Sequence, residues 1–208
     1  KTVKERNPFL GCRAIRFSLE NESLFRTQLR AILRASVYGN TRLMFPMIST
    51  VEEIIKSRTI LYETMDDLRR EKKEFDAEIP IGIMIEVPSA AINADRLAAH
   101  SDFFSVGTND LVQYTIAVDR LSEKIAYLYN PLNLSVLRLL RHIVDASKKY
   151  EIPLSICGEM AGEPRYTIPL LGLGFRNFSM GTAFMYQIKR IIRSVKINEC
   201  EELVDEMM

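Results

Sequence analysis

Apolar and polar positions alternate along this chain in two rhythms, and the switches between them predict its elements. Glu22 to Tyr38 keeps the i, i+3, i+4 spacing through Leu24, Phe25, Gln28, Leu29, Ile32 and Leu33, which predicts a helix stopped by Gly39-Asn40. Arg42 to Ile48 (RLMFPMI) reads as a buried strand. A long helix follows, capped by Ser49 or Thr50, with Glu52 and Glu53 in its first turn. Its apolar face is Val51, Ile54, Ile55, Leu61, Tyr62, Met65 and Leu68, and it ends in a charged, solvated stretch, RREKKEFDAE. Ile79 to Val87 (IPIGIMIEV) is the most strand-like run, and Ala90 to Ala99 a short helix. Asp102 to Gly107 predicts a strand that turns through Thr108, Asn109 and Asp110 into a helix. Beyond the long Leu121–Leu134 connection, Ser135 to Tyr150 is an amphipathic helix and Ile152 to Cys157 a strand. Thr167–Leu173 predicts a short helix, Phe175–Met180 a last strand, and Thr182–Val195 and Glu199–Met208 terminal helices, whereas Lys1–Phe17 reads as irregular at its start.

Five strands separated by helices is the alternation of a parallel α/β protein. The unusual residues gather at strand carboxyl ends: Pro46-Met47, Glu86, Thr108-Asn109-Asp110, Cys157-Gly158-Glu159 and Met180-Gly181. In a β/α barrel those ends share one face, and that face carries the chemistry. About five βα units are too few to close eight strands in the usual ~250 residues, so the expectation is a barrel whose early strands lie upstream of Lys1. Periodicity alone also allows an open doubly wound sheet.

Composition narrows the function. Basic and acidic residues number 28 and 27, which argues against a general attraction to nucleic acid or an anionic membrane. Any anion site must then come from a few placed arginines. No apolar run approaches the ~20 residues of a membrane span, and no charged-then-apolar leader opens the chain. Opening on Lys1 instead of Met points to an excerpt of a longer protein. Cys12, Cys157 and Cys200 are odd in number and far apart, which fits a reducing cytoplasm better than disulfides or zinc.

The strand ends hold the candidate chemistry. Glu86 closes an apolar strand; it reads either as a carboxylate bonded to a neighbouring loop or, with Asp110 at the next strand end, as half of a Mg²⁺ site. Arg13 and Arg120 are candidates for gripping a phosphate or carboxylate through the guanidinium fork, against the ordinary alternative of surface ion pairs. Asn109 reads as a phosphate donor or as an Asx cap for its helix. Cys157 reads as a small buried hydrophobe or as a thiol acid, with a pKa near ~8.5 that suits protonation of an enolate. Glu159 and Glu163 either orient the cysteine loop or cap the next helix. His100 and His142 sit beside no nucleophile and read as structural.

The stretches NPFLGCRAIR (7–16), QLRAILRAS (28–36), RLMFPMIS (42–49), GIMIEVPSA (82–90), FFSVGTNDLVQYTIAVDR (103–120) and CGEMAGE (157–163) together resemble the C-terminal half of the phosphoenolpyruvate-protein phosphotransferases, Enzyme I of the bacterial sugar phosphotransferase system. Pyruvate phosphate dikinase and phosphoenolpyruvate synthase share the strand-end Glu, the Asn-Asp pair and the Cys-Gly-Glu. The wording QYTIAVDR and CGEMAG favours Enzyme I. The resemblance implies an eight-stranded β/α barrel that dimerises, spanning 1–208 here and lacking the N-terminal phosphohistidine domain. It implies Mg²⁺ on Glu86 and Asp110, with the phosphate of phosphoenolpyruvate on Arg13, Arg120 and Asn109 beside Asp110. Cys157 is implied as the acid that protonates the pyruvate enolate, and a phosphocarrier protein as partner of the absent domain.

Departures from the pattern qualify this. The family's acceptor histidine lies in a Gly-rich context that neither His100 nor His142 has, and Cys12 replaces a large, usually aromatic residue. The chain alone is therefore expected to be incomplete as a catalyst. The competing readings are a dikinase- or synthase-like enzyme, a Mg²⁺-dependent lyase or aldolase acting on pyruvate enolate, and a non-catalytic dimerisation fragment.

Overall fold

A computed structural model describes residues 7–208. A 3-10 turn over Pro8–Leu10 leads into α1 (Ile15–Glu20), a helix the sequence pattern did not mark, and then α2 (Glu22–Ser36). Phe25, Leu29 and Leu33 of α2 are buried in the expected stripe. The helix stops two residues short of Tyr38 at Ser36, whose hydroxyl donates to Leu33 O (2.6 Å) and accepts from the Asp76 amide (2.8 Å).

Next come β1 (Leu43–Phe45), α3 (Val51–Arg70) and β2 (Ile81–Ile85). Thr50, not Ser49, is the α3 cap, in a full capping box with Glu53. The helix expected over Ala90–Ala99 is two short ones, α4 (Pro88–Ile92) and α5 (Ala94–Ala98). The break falls at Asn93, whose amide bonds back to Ser89 O at 2.9 Å and so competes with the helix backbone. Then follow β3 (Phe104–Gly107), α6 (Thr108–Ile116), α7 (Leu134–Lys149), β4 (Leu154–Cys157), α8 (Glu159–Gly162), α9 (Pro164–Leu173), α10 (Met185–Ser194) and α11 (Ile197–Met207).

The four strands are parallel and lie in chain order, β1-β2-β3-β4. An open doubly wound sheet reverses its strand order at a switch point; these strands never reverse, which is the order of a barrel segment. The expected fifth strand, Phe175–Met180, is only a parallel bridge between Ile156 and Phe178. The ladder fails to extend because the Asn177 side-chain amide, at 2.9 Å, takes the Leu154 carbonyl that a further strand would have used.

The register assigns each face. Leu43, Phe45, Ile81, Ile83, Ile85, Phe104, Val106 and Ile156 alternate onto one face and are buried. Met44, Gly82, Met84, Ser105, Ser155 and Cys157 take the other, which is smaller, softer and more polar, with both methionines, Ser155 and Cys157 half-buried. Period-two alternation carries this second face on from Met84 to Glu86.

Candidate active site

The carboxyl end of the sheet holds the site. Glu86, one residue past β2, is 6% exposed, and its Oε1 accepts from the Met47 amide at 2.7 Å. Met47 adopts φ 56°, a left-handed conformation uncommon for a side chain of its size, and it turns that N–H toward the carboxylate. A Cβ on Gly107 would lie 2.8 Å from Glu86 Oε2, so the carboxylate packs against β3 where only glycine leaves room. Burial, above all, pushes Glu86 up to about 7; the Met47 amide opposes this, while the charge of Asp110 and a hydrogen bond with it push further.

Asp110 is delivered by the first turn of α6 and is 7% exposed. Arg13 grips both its oxygens, with Nη2 at 2.8 Å from Oδ2 and Nη1 at 3.5 Å from Oδ1. Burial works against the Arg13 charge, but the hydrogen bond and charge of Asp110 outweigh it and raise the pKa. Arg13 Nη1 also donates to Tyr114 Oη (3.3 Å), and Tyr114 Oη donates to Phe9 O.

Cys157, Asn109 and Thr108 form the neighbouring wall. Cys157 Sγ donates to Val106 O at 3.3 Å and lies 3.7 Å from Ser105 Oγ. Burial raises the thiol pKa, Ser105 works against it, and the Glu86 charge adds to it, so the group is a thiol and not a thiolate at neutral pH. Thr108 Oγ1 donates to Cys157 O at 2.7 Å. Gly158 has φ +87°, and a Cβ there would meet Thr108 Oγ1 at 2.4 Å and Asn109 Oδ1 at 2.8 Å. The Asx cap, the alternative reading of Asn109, is not made, since its Oδ1 crosses over to accept from the Glu159 amide at the start of α8 (2.8 Å). A cavity of about 490 Å³, lined by Asn109, Cys157, Gly158, Met180 and Phe184, opens beside the thiol.

Arg120 stands apart from the carboxylates. Its backbone N–H donates to Gln113 Oε1 (3.2 Å), while the buried Nη1 has no hydrogen-bond partner. Tyr129, held near 12 chiefly by burial, feels both the Arg120 charge and that of Asp110, and its hydroxyl reaches Asn109 O at 3.4 Å. The structure thus joins Arg13 to Asp110, places Glu86 at the end of the adjacent strand, sets Asn109 and Cys157 on the next wall, and leaves Arg120 Nη1 without an acceptor. Glu163 precedes α9, pairs with Arg165 at 3.4 Å and, with Glu159, lines the cavity beside the thiol. His142 bonds to Ile92 O (3.0 Å) and the His100 carbonyl accepts from Arg58, both outside the site. Met47 stands among the strand-end residues that the sequence singles out, whereas Ser105, Gln113, Tyr114 and Tyr129 do not; for Tyr114 a signal existed, since it lies i+4 from Asp110 on one helix face.

Among the described residues no three His, Cys, Asp or Glu side chains are grouped to hold a metal. A pair of buried hard oxygen donors nevertheless suits Mg²⁺, which takes one or two carboxylates and fills its shell with water and substrate oxygens. Glu86 and Asp110 are such a pair, and a divalent cation would offset the burial penalty on the Glu86 charge and the smaller repulsion from Asp110.

Residues 1–197 match the family model described as PEP-utilising enzyme, PEP-binding domain. This chain belongs to the PEP-utilising enzymes. Among curated relatives, the phosphoenolpyruvate-protein phosphotransferase of Listeria monocytogenes is 49% identical over 99% of this chain and 36% of its own length. Those of Haemophilus influenzae (48%, over 97% of this chain) and Mycoplasma genitalium (45%, over 98%) are each covered over 35% of their length. The chain thus spans about a third of the relatives it matches. Of solved structures, a citrate lyase from Burkholderia xenovorans superposes with a TM-score of 0.57 over 80% of this chain and 53% of its own, at 20% identity. That likeness bears on the fold alone, and it agrees with the α/β barrel segment of this PEP-utilising chain. No helix among the described residues is long and apolar enough to cross a membrane.

Proposed function

We propose that this chain is the substrate-binding part of a phosphoenolpyruvate-protein phosphotransferase. In this reading the enzyme moves the phosphoryl group of phosphoenolpyruvate to one of its own histidines and then to a phosphocarrier protein in cytoplasmic sugar uptake, releasing pyruvate. The observation that carries the reading is the placing of two buried carboxylates, Glu86 and Asp110, just past the ends of two adjacent strands, with Arg13 on Asp110. A carboxylate whose charge burial penalises, beside a second buried one, is suited to a divalent cation, and the arginines flanking them to the anion that accompanies it.

Glu86 and Asp110 would hold Mg²⁺, which when bound supplies Lewis-acid stabilisation of developing negative charge on the enolate oxygen. Arg13 already lies on Asp110, and Arg120 Nη1 needs an acceptor; both would bind the phosphate. Asn109 Nδ2 is only weakly engaged, 3.5 Å from Glu159 Oε1, and can turn its N–H groups to the same phosphate. Cys157 keeps its proton at neutral pH because of burial and donates it to C3 once the phosphoryl group has left. The phosphate-accepting histidine would lie in the remaining part of the parent enzyme, which would act as a homodimer.

Calorimetric titration of phosphoenolpyruvate with Mg²⁺, and again with EDTA, tests the reading. Saturable binding that EDTA and Glu86→Gln both abolish is expected. Binding that persists unchanged in EDTA would remove the metal from the site.

A further inference from the structure

α6 supplies Asn109 and Asp110 from its first turn, and its second turn carries two polar side chains aimed at the arginines. Tyr114 Oη accepts from Arg13 Nη1 at 3.3 Å and donates to Phe9 O, while the Arg13 guanidinium lies 5.9 Å from the centroid of the Phe9 ring. One hydroxyl therefore ties the helix, the Phe9 backbone and the guanidinium together. Asp110 and Tyr114 are one turn apart, so both meet Arg13 from the same face of α6. Gln113 is 5% exposed, and its Oε1 accepts the backbone N–H of Arg120. The chain between them turns sharply at Ala117, in the left-handed conformation (φ 55°, ψ 38°).

These contacts matter because of where the arginines come from. Arg13 lies in the loop before α1 and Arg120 in the connection after α6, so neither is fixed by a sheet ladder. A flexible side chain with several rotatable bonds loses binding strength to entropy unless something holds it in place beforehand.

We propose that Tyr114 and Gln113 are positioning residues: Tyr114 presets the Arg13 guanidinium and Gln113 presets the Arg120 segment for one shared anionic group, a phosphate ester. The inference rests on the phosphoenolpyruvate-site reading for the identity of the anion, and on the hydrogen bonds alone for the positioning. Tyr114 does not touch the reacting atoms. Its hydroxyl shares Arg13 Nη1 with Asp110 and so fixes the direction of that end of the guanidinium.

Heteronuclear NMR of the arginine Nε–Hε groups tests this, with Arg13 and Arg120 signals assigned from Arg13→Lys and Arg120→Lys. Tyr114→Phe keeps the ring and removes the hydroxyl. It should shift and narrow the Arg13 signal, leave Arg120 in place, and weaken phosphoenolpyruvate binding about tenfold, as loss of a hydrogen bond to a charged group does. Gln113→Leu should move Arg120 and spare Arg13. If its thermal midpoint shows that it fails to fold, Tyr114→Phe decides alone. An Arg13 signal unchanged in Tyr114→Phe overturns the proposal whatever the ligand result. A shifted Arg13 signal in a protein that binds no phosphoenolpyruvate leaves the positioning intact and sinks the substrate reading.

Discussion

Glu86 should make the metal-free protein less stable as pH rises. Its carboxyl ordinarily titrates at 4.5 and in the folded protein at about 7, chiefly because burial penalises the charge. Below pH 4.5 the group is protonated in both states and contributes no difference. Between the two values the folded protein holds a proton that the unfolded chain has released, so stability falls with rising pH. Each pH unit of that interval costs about 1.4 kcal/mol, which over the whole interval comes to about 3 kcal/mol of lost stability above pH 7.

Other groups titrate in the same range, so the measurement is a difference. Urea unfolding in EDTA is followed across pH for the native protein and for Glu86→Gln, whose amide oxygen can still accept from the Met47 N–H. The variant should gain on the native protein from pH 4.5 to 7 and hold that advantage above it. Added Mg²⁺ should restore the native protein at pH 8 and leave the variant nearly unmoved. Parallel curves for the two proteins would refute the argument that burial holds the proton on Glu86. A slope that Mg²⁺ does not relieve would refute the metal assignment and keep the burial argument.

The remaining predictions concern the other walls of the site. Arg120→Met should change unliganded stability by no more than about 0.5 kcal/mol, because its buried Nη1 bonds nothing, yet it should weaken phosphoenolpyruvate binding at least about tenfold by calorimetry. Gly158→Ala should lose roughly 2–4 kcal/mol in denaturant unfolding, from left-handed strain together with overpacking, since its Cβ would sit 2.4 Å from Thr108 Oγ1. Full native stability in that variant would mean the Thr108 side chain gives way freely. In timed thiol alkylation at neutral pH, exposed Cys12 should react well before Cys157 and Cys200, whose pKa values burial raises; a fast Cys157 would contradict its role as a protonated acid.

Much of this geometry can be read from sequence, for reasons that particular residues make plain. Period-two alternation sends Met84 and Glu86 to one face, and glycine at 107 and 158 marks close backbone approach beside polar strand ends. That the expected fifth strand shrinks to one bridge was illegible, because a single side chain, Asn177, captures the carbonyl its ladder would have needed. The break at Asn93 turns likewise on one local hydrogen bond. Periodicity has no means of showing that the Met47 amide is turned left-handed onto Glu86, or that Arg13 crosses 97 positions to reach Asp110. The arginines could be picked out by residue type and motif, and their targets could not.

That division follows the mechanics of the fold. Cys157 closes one parallel strand, Glu86 lies one residue past another, and Asp110 lies in the helix turn directly after the strand between them. A site on such a frame keeps its metal-ligating and acid groups aligned at little entropic cost. Anion-binding side chains on loops have no such frame, so their direction must come from contacts made by something rigid. α6 is the element placed to supply it, since it starts directly from β3 and spans the distance between both arginines. A helix that presents the ligands in one turn and the braces for the counter-charges in the next couples the two halves of the site. Any change that rotates α6 should therefore disturb metal and phosphate binding together, as should loss of Arg13, which bonds Asp110, whereas changes confined to the Arg120 segment should disturb phosphate binding alone.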